Sequence, residues 1–395
     1  MSNKLKIVAD ENMPHIDSLF GDYAEISFRP GRQISAQDVR HADALLCRSI
    51  TDINARLLQS STVKFVGSAT IGTDHLDTEW MDNNQICWTN AAGCNADAVA
   101  QYVMSAIAHW LINENRRLED ICVGIVGAGN VGTSLSRCLG WFGVKYLLCD
   151  PLLECLGDPR SFVSFDEVSG CDVVTFHVPM SHKGNYPTYH LVDKNWLGTL
   201  TDKQLVINAS RGAVIDNCAL SDYLKRGNSA QFVLDVFENE PEIDQVLVEG
   251  CLLATPHIAG HTIEGKSRGS WMIYQRFCEY FDLPCTVTLD ELLPAKNEVL
   301  LAAGRTLDNI LLVYDIVKDS SHLKHFVSNK TSQEKHLGHF FDSLRRNYVQ
   351  EFGLQSNGLP RRDYSGWILR TSDSCHTSEA KLLLDSSRAW QVGAV

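Results

Sequence analysis

Three polar residues far apart in the 395-residue chain have the types needed to oxidise a hydroxyl group beside a carboxylate: Arg211, Glu240 and His257. An Arg fork can hold a carboxylate bidentately and polarise the adjacent C2 oxygen. A His titrates near working pH, so it can take the hydroxyl proton as a hydride departs, or protonate a ketone in reverse. A neighbouring Glu orients the imidazole and stabilises its protonated form. Each residue ends a predicted strand. Arg211 follows Leu205–Ser210, Glu240 follows Phe232–Phe237 after a short turn, and His257 follows Leu252–Pro256. Strand carboxyl ends face the ligand crevice in an open α/β sheet, so the three side chains are expected to converge there. Singly, each has a blander explanation: a structural ion pair, a solvated turn before Pro241, a hydrogen-bonded core histidine. Their joint order behind a dinucleotide motif favours catalysis.

That motif is Gly127-Ala128-Gly129-Asn130-Val131-Gly132, a G-x-G-x-x-G. Alone the pattern is weak. Here the β-run Cys122–Val126 leads in and the helical run Val131–Leu139 leads out, which is the context a pyrophosphate cradle needs. Gly127 permits the tight turn, Gly129 the backbone approach and Gly132 the close helix packing, while the helix N-terminus favours the anion. Asp150 ends the next β-run, 18 residues beyond Gly132. A carboxylate there accepts from the adenine-ribose hydroxyls and repels a 2′-phosphate, so NAD is the expected cofactor.

These residues need a scaffold of alternating strands and helices. The predicted strands Leu5–Ala9, Ala44–Cys47, Val63–Val66 and Ile86–Thr89 make a small doubly wound domain, with helical stretches at Ile34–Arg40 and Ile53–Gln59. A long helix, Ala96–Leu118 with Asn95 as N-cap, leads to a second domain. Six strands are expected there: Ile121–Val126, Val144–Cys149, Val173–His177, Leu205–Asn208, Phe232–Val236 and Leu252–Thr255. A further helix, Thr262 to about Phe281, returns the chain to the first domain. The resulting fold class is α/β. It comprises a flavodoxin-like parallel-sheet substrate domain at 1–96, completed by 261–285, and a Rossmann NAD domain at 97–260. The tail, 286–395, carries no catalytic motif.

A net charge of −13 argues against nucleic-acid or anionic-membrane partners. No apolar run approaches the roughly 18 residues of a membrane span, and the N-terminal run breaks too soon for a signal peptide, so a cytoplasmic location is expected. The 13 cysteines are scattered, with no C-x-x-C pair, and no metal site is expected.

The segments Val126–Gly132, Asn208–Val214, Asp235–Pro241 and Pro256–Gly260 resemble the D-2-hydroxy-acid dehydrogenase family. The resemblance gives Arg211, Glu240 and His257 the catalytic roles, puts Asp235 on the nicotinamide side, and puts Gly260 near the cofactor with Asn130 and Val131. Glu240 stands where formate dehydrogenases of the superfamily carry Gln. Further segments resemble one branch of the family, which oxidises 4-phospho-D-erythronate in pyridoxal phosphate biosynthesis. They are Asp10–Pro14, Cys47–Ser49, Gly67–His75, Gly93–Ala96, Gly265–Gly269 with Leu292–Pro294, and Phe341–Tyr348. That likeness makes Ser49 and Thr70 substrate contacts and makes the tail an α+β homodimerisation domain. It departs at His261, where Tyr is usual, at Ser210, where Cys is usual, and at Ala92, where Pro is usual. His261 leaves relatives acting on glycerate, phosphoglycerate or lactate as alternatives, beside an NAD-sensing protein of the same fold without turnover. Arg48, Lys266, Arg268, Arg345 and Arg346 are the candidate phosphate cations.

Overall fold

A computed structural model describes residues 4–302, 304–328, 337–348 and 360–371. The chain divides into two compact units, 1–95 with 263–295, and 96–262 with 296–395.

The first unit holds a five-stranded parallel sheet: β1 (Leu5–Asp10), β2 (Ala24–Arg29), β3 (Ala44–Cys47), β4 (Phe65–Ser68) and β5 (Cys87–Asn90), in the order β2-β1-β3-β4-β5. This is the flavodoxin-like order, and ligands of such sheets gather at the strand carboxyl ends. β3 and β4 are buried along their whole length, as in a sheet covered on both faces. The helix Ile263–Tyr280 returns to cover one face, packing Ile273, Tyr274 and Phe277 against Phe20 and Phe65. Gly67 makes this packing possible, since a Cβ there would lie 2.3 Å from Ile273 Cγ2.

The sequence reading missed β2. It is an edge strand whose Ala24, Ile26 and Phe28 face inward while Glu25, Ser27 and Arg29 are exposed. That period-2 pattern was readable, but it lacks the continuous apolar run of the inner strands.

The second unit has six parallel strands: β6 (Cys122–Val126), β7 (Lys145–Cys149), β8 (Val173–Phe176), β9 (Leu205–Asn208), β10 (Gln231–Leu234) and β11 (Leu253–Ala254). Their order is β11-β10-β9-β8-β6-β7. After β7 the chain crosses to the other side of β6, and the order reverses there, which places the ligand crevice beyond the carboxyl ends of β6 and β8. The long helix Ala96–Asn113 is buried on nearly every face against this sheet. It ends five residues earlier than the sequence suggested. Asn115 takes a left-handed backbone (φ 49°), and the Arg116 N–H donates to Leu111 C=O at 2.9 Å, which terminates the helix as a Schellman turn.

The described tail elements belong to this second unit. Tyr314 and Ile316 are buried in its core, and Leu323, Phe341 and Leu344 in a neighbouring cluster. β12 (Asn297–Leu301) and β13 (Trp367–Thr371) form a separate two-stranded parallel sheet. No helix among the described residues is long and apolar enough to cross a membrane.

Candidate active site

The glycine loop has the backbone that the motif demands. Gly127 has φ 93°, and a Cβ there would lie 2.7 Å from the His177 carbonyl carbon. Gly132 lies so close to the strand that a Cβ would meet Gly127 O at 2.2 Å. A Cβ on Gly129 would meet nothing within 4 Å, which leaves the mouth of the helix Asn130–Trp141 open. A loop of this kind fits a dinucleotide pyrophosphate. Asp150 caps the helix Pro151–Cys155 through Leu153 N–H (3.1 Å) and also accepts from Ala128 N–H (2.9 Å). Its carboxylate is thereby held against the glycine loop, at the end of β7. Removing it in Asp150→Ala is expected to weaken NAD by about tenfold or more, the worth of charged hydrogen bonds, while NADP loses less. Titration with both nucleotides checks this.

The Glu240–His257 pair is built from two loops. His257 donates Nδ1–H to Glu240 Oε2 at 2.8 Å. That leaves Nε2 for proton transfer, and 35% of the side chain remains exposed. Glu240 Oε1 accepts the Phe237 N–H at 2.9 Å, which fixes the carboxylate within its own turn. An Arg345 nitrogen lies 3.8 Å from Glu240 Oε2. Burial pushes the Glu240 carboxyl up. The His257 charge and hydrogen bond, with Arg345 and Phe237 N–H, outweigh burial and hold it below the usual range.

His257 has a left-handed backbone, φ 55°. Such a conformation in a non-glycine residue costs of order 1–3 kcal/mol and survives only where surroundings over-determine it. Asp235 supplies much of that constraint. It is 1% exposed and accepts from Thr255 Oγ1 (2.7 Å), Ile258 N–H (2.8 Å) and Ala259 N–H (2.9 Å), while its carbonyl accepts the His257 N–H at 2.7 Å. The hydrogen bonds its oxygens accept thus come from the His257 loop, an anchoring role that the sequence does not show, while its N–H donates to Asn208 C=O at 3.0 Å. Gly260 closes that loop.

Arg211 follows β9. Asn208 pins the turn by accepting from Ser210 N–H (3.1 Å) and donating to Arg211 C=O (2.9 Å). The Arg211 and Glu240 loops touch. A Cβ on Gly212 would lie 2.0 Å from the Phe237 carbonyl, and Asn217 and Glu238 exchange two hydrogen bonds at 3.0 Å. Gly212→Ala is therefore expected to force these loops apart, lowering stability by about 1–3 kcal/mol, the usual cost of overpacking, together with kcat. Thermal melts beside steady-state kinetics check both. The structure thus joins Glu240 and His257 directly and ties the Arg211 loop to theirs.

Residues 99–259 match the D-isomer specific 2-hydroxyacid dehydrogenase, NAD binding domain, family. An erythronate-4-phosphate dehydrogenase from Tolumonas auensis is 42% identical over 356 residues, covering 88% of this chain and 92% of that protein. The chain belongs to the erythronate-4-phosphate dehydrogenase family. A second member, from Photorhabdus laumondii, is 42% identical over 353 residues, covering 88% of this chain and 92% of that protein. Among solved structures, an NAD-bound 3-phosphoglycerate dehydrogenase from Entamoeba histolytica matches with a TM-score of 0.61 at 20% identity, covering 72% of this chain and 99% of that one. A D-lactate dehydrogenase from Aquifex aeolicus matches with a TM-score of 0.57 at 19% identity, covering 70% and 95%. At these identities the structural likeness shows the fold. The family is NAD-dependent, and the glycine loop and Asp150 fit that cofactor.

The remaining family positions fall in both units. In the first, exposed Ser49 follows β3, and Thr70 follows β4 with its hydroxyl 2.8 Å from Ser68 Oγ. They lie beyond the carboxyl ends of neighbouring strands. Arg48 is bound bidentately by buried Asp10 (2.9 and 3.1 Å), and Arg268 donates to Cys94 C=O. In the second unit, the His261 ring lies 6.1 Å from the Tyr348 ring, so the tail borders this family-divergent position. Arg346 is exposed. Tail residues near the dyad were legible only as a family motif, because no local pattern in the sequence says which face of Leu337–Arg346 meets Glu240.

Proposed function

We propose that this chain oxidises 4-phospho-D-erythronate at C2, giving 3-hydroxy-2-oxo-4-phosphooxybutanoate, with His257 as the proton acceptor. The observation that carries this reading is the 2.8 Å hydrogen bond from His257 Nδ1 to the partly buried Glu240 carboxylate. It fixes the tautomer and leaves Nε2 basic for the C2 hydroxyl. Arg211 holds the substrate carboxylate as a fork. NAD, when bound, supplies the hydride acceptor, held by Gly127, Gly129, Asn130, Val131, Gly132 and Asp150. Glu240 keeps the imidazole oriented and offsets its charge once the proton has moved. Ser49, Thr70 and His261 are proposed to contact the substrate. Arg345, already beside Glu240, is the best-placed candidate in its unit for substrate anions, ahead of exposed Arg346, and Lys266 is a candidate in the first unit.

A cytoplasmic homodimer is part of the same proposal. β12 and β13 form a sheet of two strands, too small to be stable without cover. Leu300 is 62% exposed and Ile368 39% exposed on those strands, and a second copy of the tail is a natural cover.

The test is NADH formation with 4-phospho-D-erythronate beside D-glycerate, 3-phosphoglycerate and D-lactate. The reading expects the phosphorylated four-carbon acid to give the largest kcat/KM. Equal or better turnover of an unphosphorylated acid overturns the substrate assignment, and tight NAD binding without turnover of any acid leaves a sensor.

A further inference from the structure

The catalytic loop is gripped by a part of the chain that carries no readable motif. Arg361 lies in the described stretch 360–371 and is 0% exposed. Its Nη1 donates to Ile258 C=O at 2.8 Å, and its Nη2 donates to Ala259 C=O (2.8 Å) and Ala98 C=O (2.9 Å). Its Cζ sits 3.8 Å from the centre of the Tyr314 ring. Buried Asp319, which accepts from the Tyr314 and Tyr348 hydroxyls, lies within electrostatic reach and balances the charge.

A guanidinium is costly to desolvate, and here the hydrogen bonds of both Nη atoms and the charge of Asp319 offset that cost, while the buried Nε has no partner. Here two of the three acceptors belong to the two residues that follow His257. Asp235 takes the N–H groups of those same residues. Ile258 and Ala259 are therefore held through their N–H groups by a buried anion and through their C=O groups by a buried cation. Neither peptide can rotate without breaking a charged hydrogen bond. The left-handed His257 immediately before them has no slack through which to relax.

We propose that Arg361 is a positioning residue for His257: its fork fixes the loop so that Nδ1 stays on Glu240. The proposal rests on His257 being the acid–base group. It gives a residue of the tail a part in catalysis that acts through His257, besides any part in assembly.

The test compares Arg361→Lys and Arg361→Met with Trp367→Phe, a packing control in the same segment whose indole sits with Leu301 and Val313. Each full-length variant is assayed for kcat, KM, the pH profile of kcat, NAD affinity and melting midpoint, at temperatures where it is folded. Arg361→Lys is expected to lower kcat by about tenfold or more, as misplacement of a reacting group does, and to alter the pH profile, while KM and NAD affinity move far less. Trp367→Phe is expected to lower the midpoint and leave kcat unchanged. If Arg361→Met does not fold, Arg361→Lys carries the test, because its ammonium keeps the charge near Asp319. A wild-type kcat and pH profile in Arg361→Lys overturns the proposal, as does a kcat loss in Trp367→Phe that matches its loss of stability. His257→Ala separates the two readings. If it turns over normally, the acid–base assignment has failed. If it is inactive while Arg361→Lys is normal, only the positioning role has failed.

Discussion

His257→Ala is expected to lower kcat by about 10²–10⁴-fold, the usual worth of a positioned acid–base group, and to leave NAD affinity near that of the wild type. On the proposed mechanism the imidazole receives the C2 hydroxyl proton, whereas the glycine loop proposed to cradle the nucleotide sits at the end of a different strand. The backbone complicates the choice of variant. His257 has φ 55°, where Ala is strained but Asn is tolerated. His257→Asn therefore serves as the second arm, because it keeps the left-handed turn and removes the base. Equal losses in the two variants, with NAD titrations unchanged, assign the effect to the imidazole. A large recovery in His257→Asn would assign it to loop geometry instead.

Glu240→Gln is expected to have the second largest effect, up to about 10⁴-fold in kcat, the scale seen when an amide replaces the carboxylate of an imidazole–carboxylate pair. The Gln amide can turn an N–H toward Nδ1, which selects the wrong tautomer. There is also a stability signature with a definite sign. The Glu240 carboxyl is held below its ordinary value of 4.5, because the His257 charge and hydrogen bond outweigh the upward push of burial. A depressed folded pKa contributes stability that is fully present above the unfolded value and fades as pH falls through the folded one. The gap in melting midpoint between wild type and Glu240→Gln should thus be steady above pH 4.5 and close below it. Melts across the acid range check this. A gap that widens on acidification would contradict the ionised carboxylate.

The sequence read well wherever one local pattern carried the physics. The glycine loop needed only a strand, three glycines and a helix, and all three glycines sit as the motif requires. The inner strands β3, β4, β8 and β9 are mostly apolar because both faces are covered. Glu240 and His257 were recognisable as strand-end residues, and the structure joins them. The failures arose where long-range partners decide. β2 alternates apolar and polar residues and so lacks the continuous apolar run of the inner strands, and the long helix stops where Asn115 adopts a left-handed turn. Asp235 anchors the His257 loop through the Ile258 and Ala259 N–H groups, a role visible only once that loop is folded against it. Arg345 and Arg361 lie more than 80 residues beyond the loops they support, so no spacing rule could have paired them.

Single-turnover oxidation of 4-phospho-D-erythronate carrying deuterium at C2, with NAD in excess, follows hydride transfer and its dependence on His257 together. The label is expected on the nicotinamide of the product, and the transfer is expected to slow strongly in His257→Ala while NAD stays bound. Label lost to solvent, or transfer at the wild-type rate without the imidazole, would contradict the mechanism.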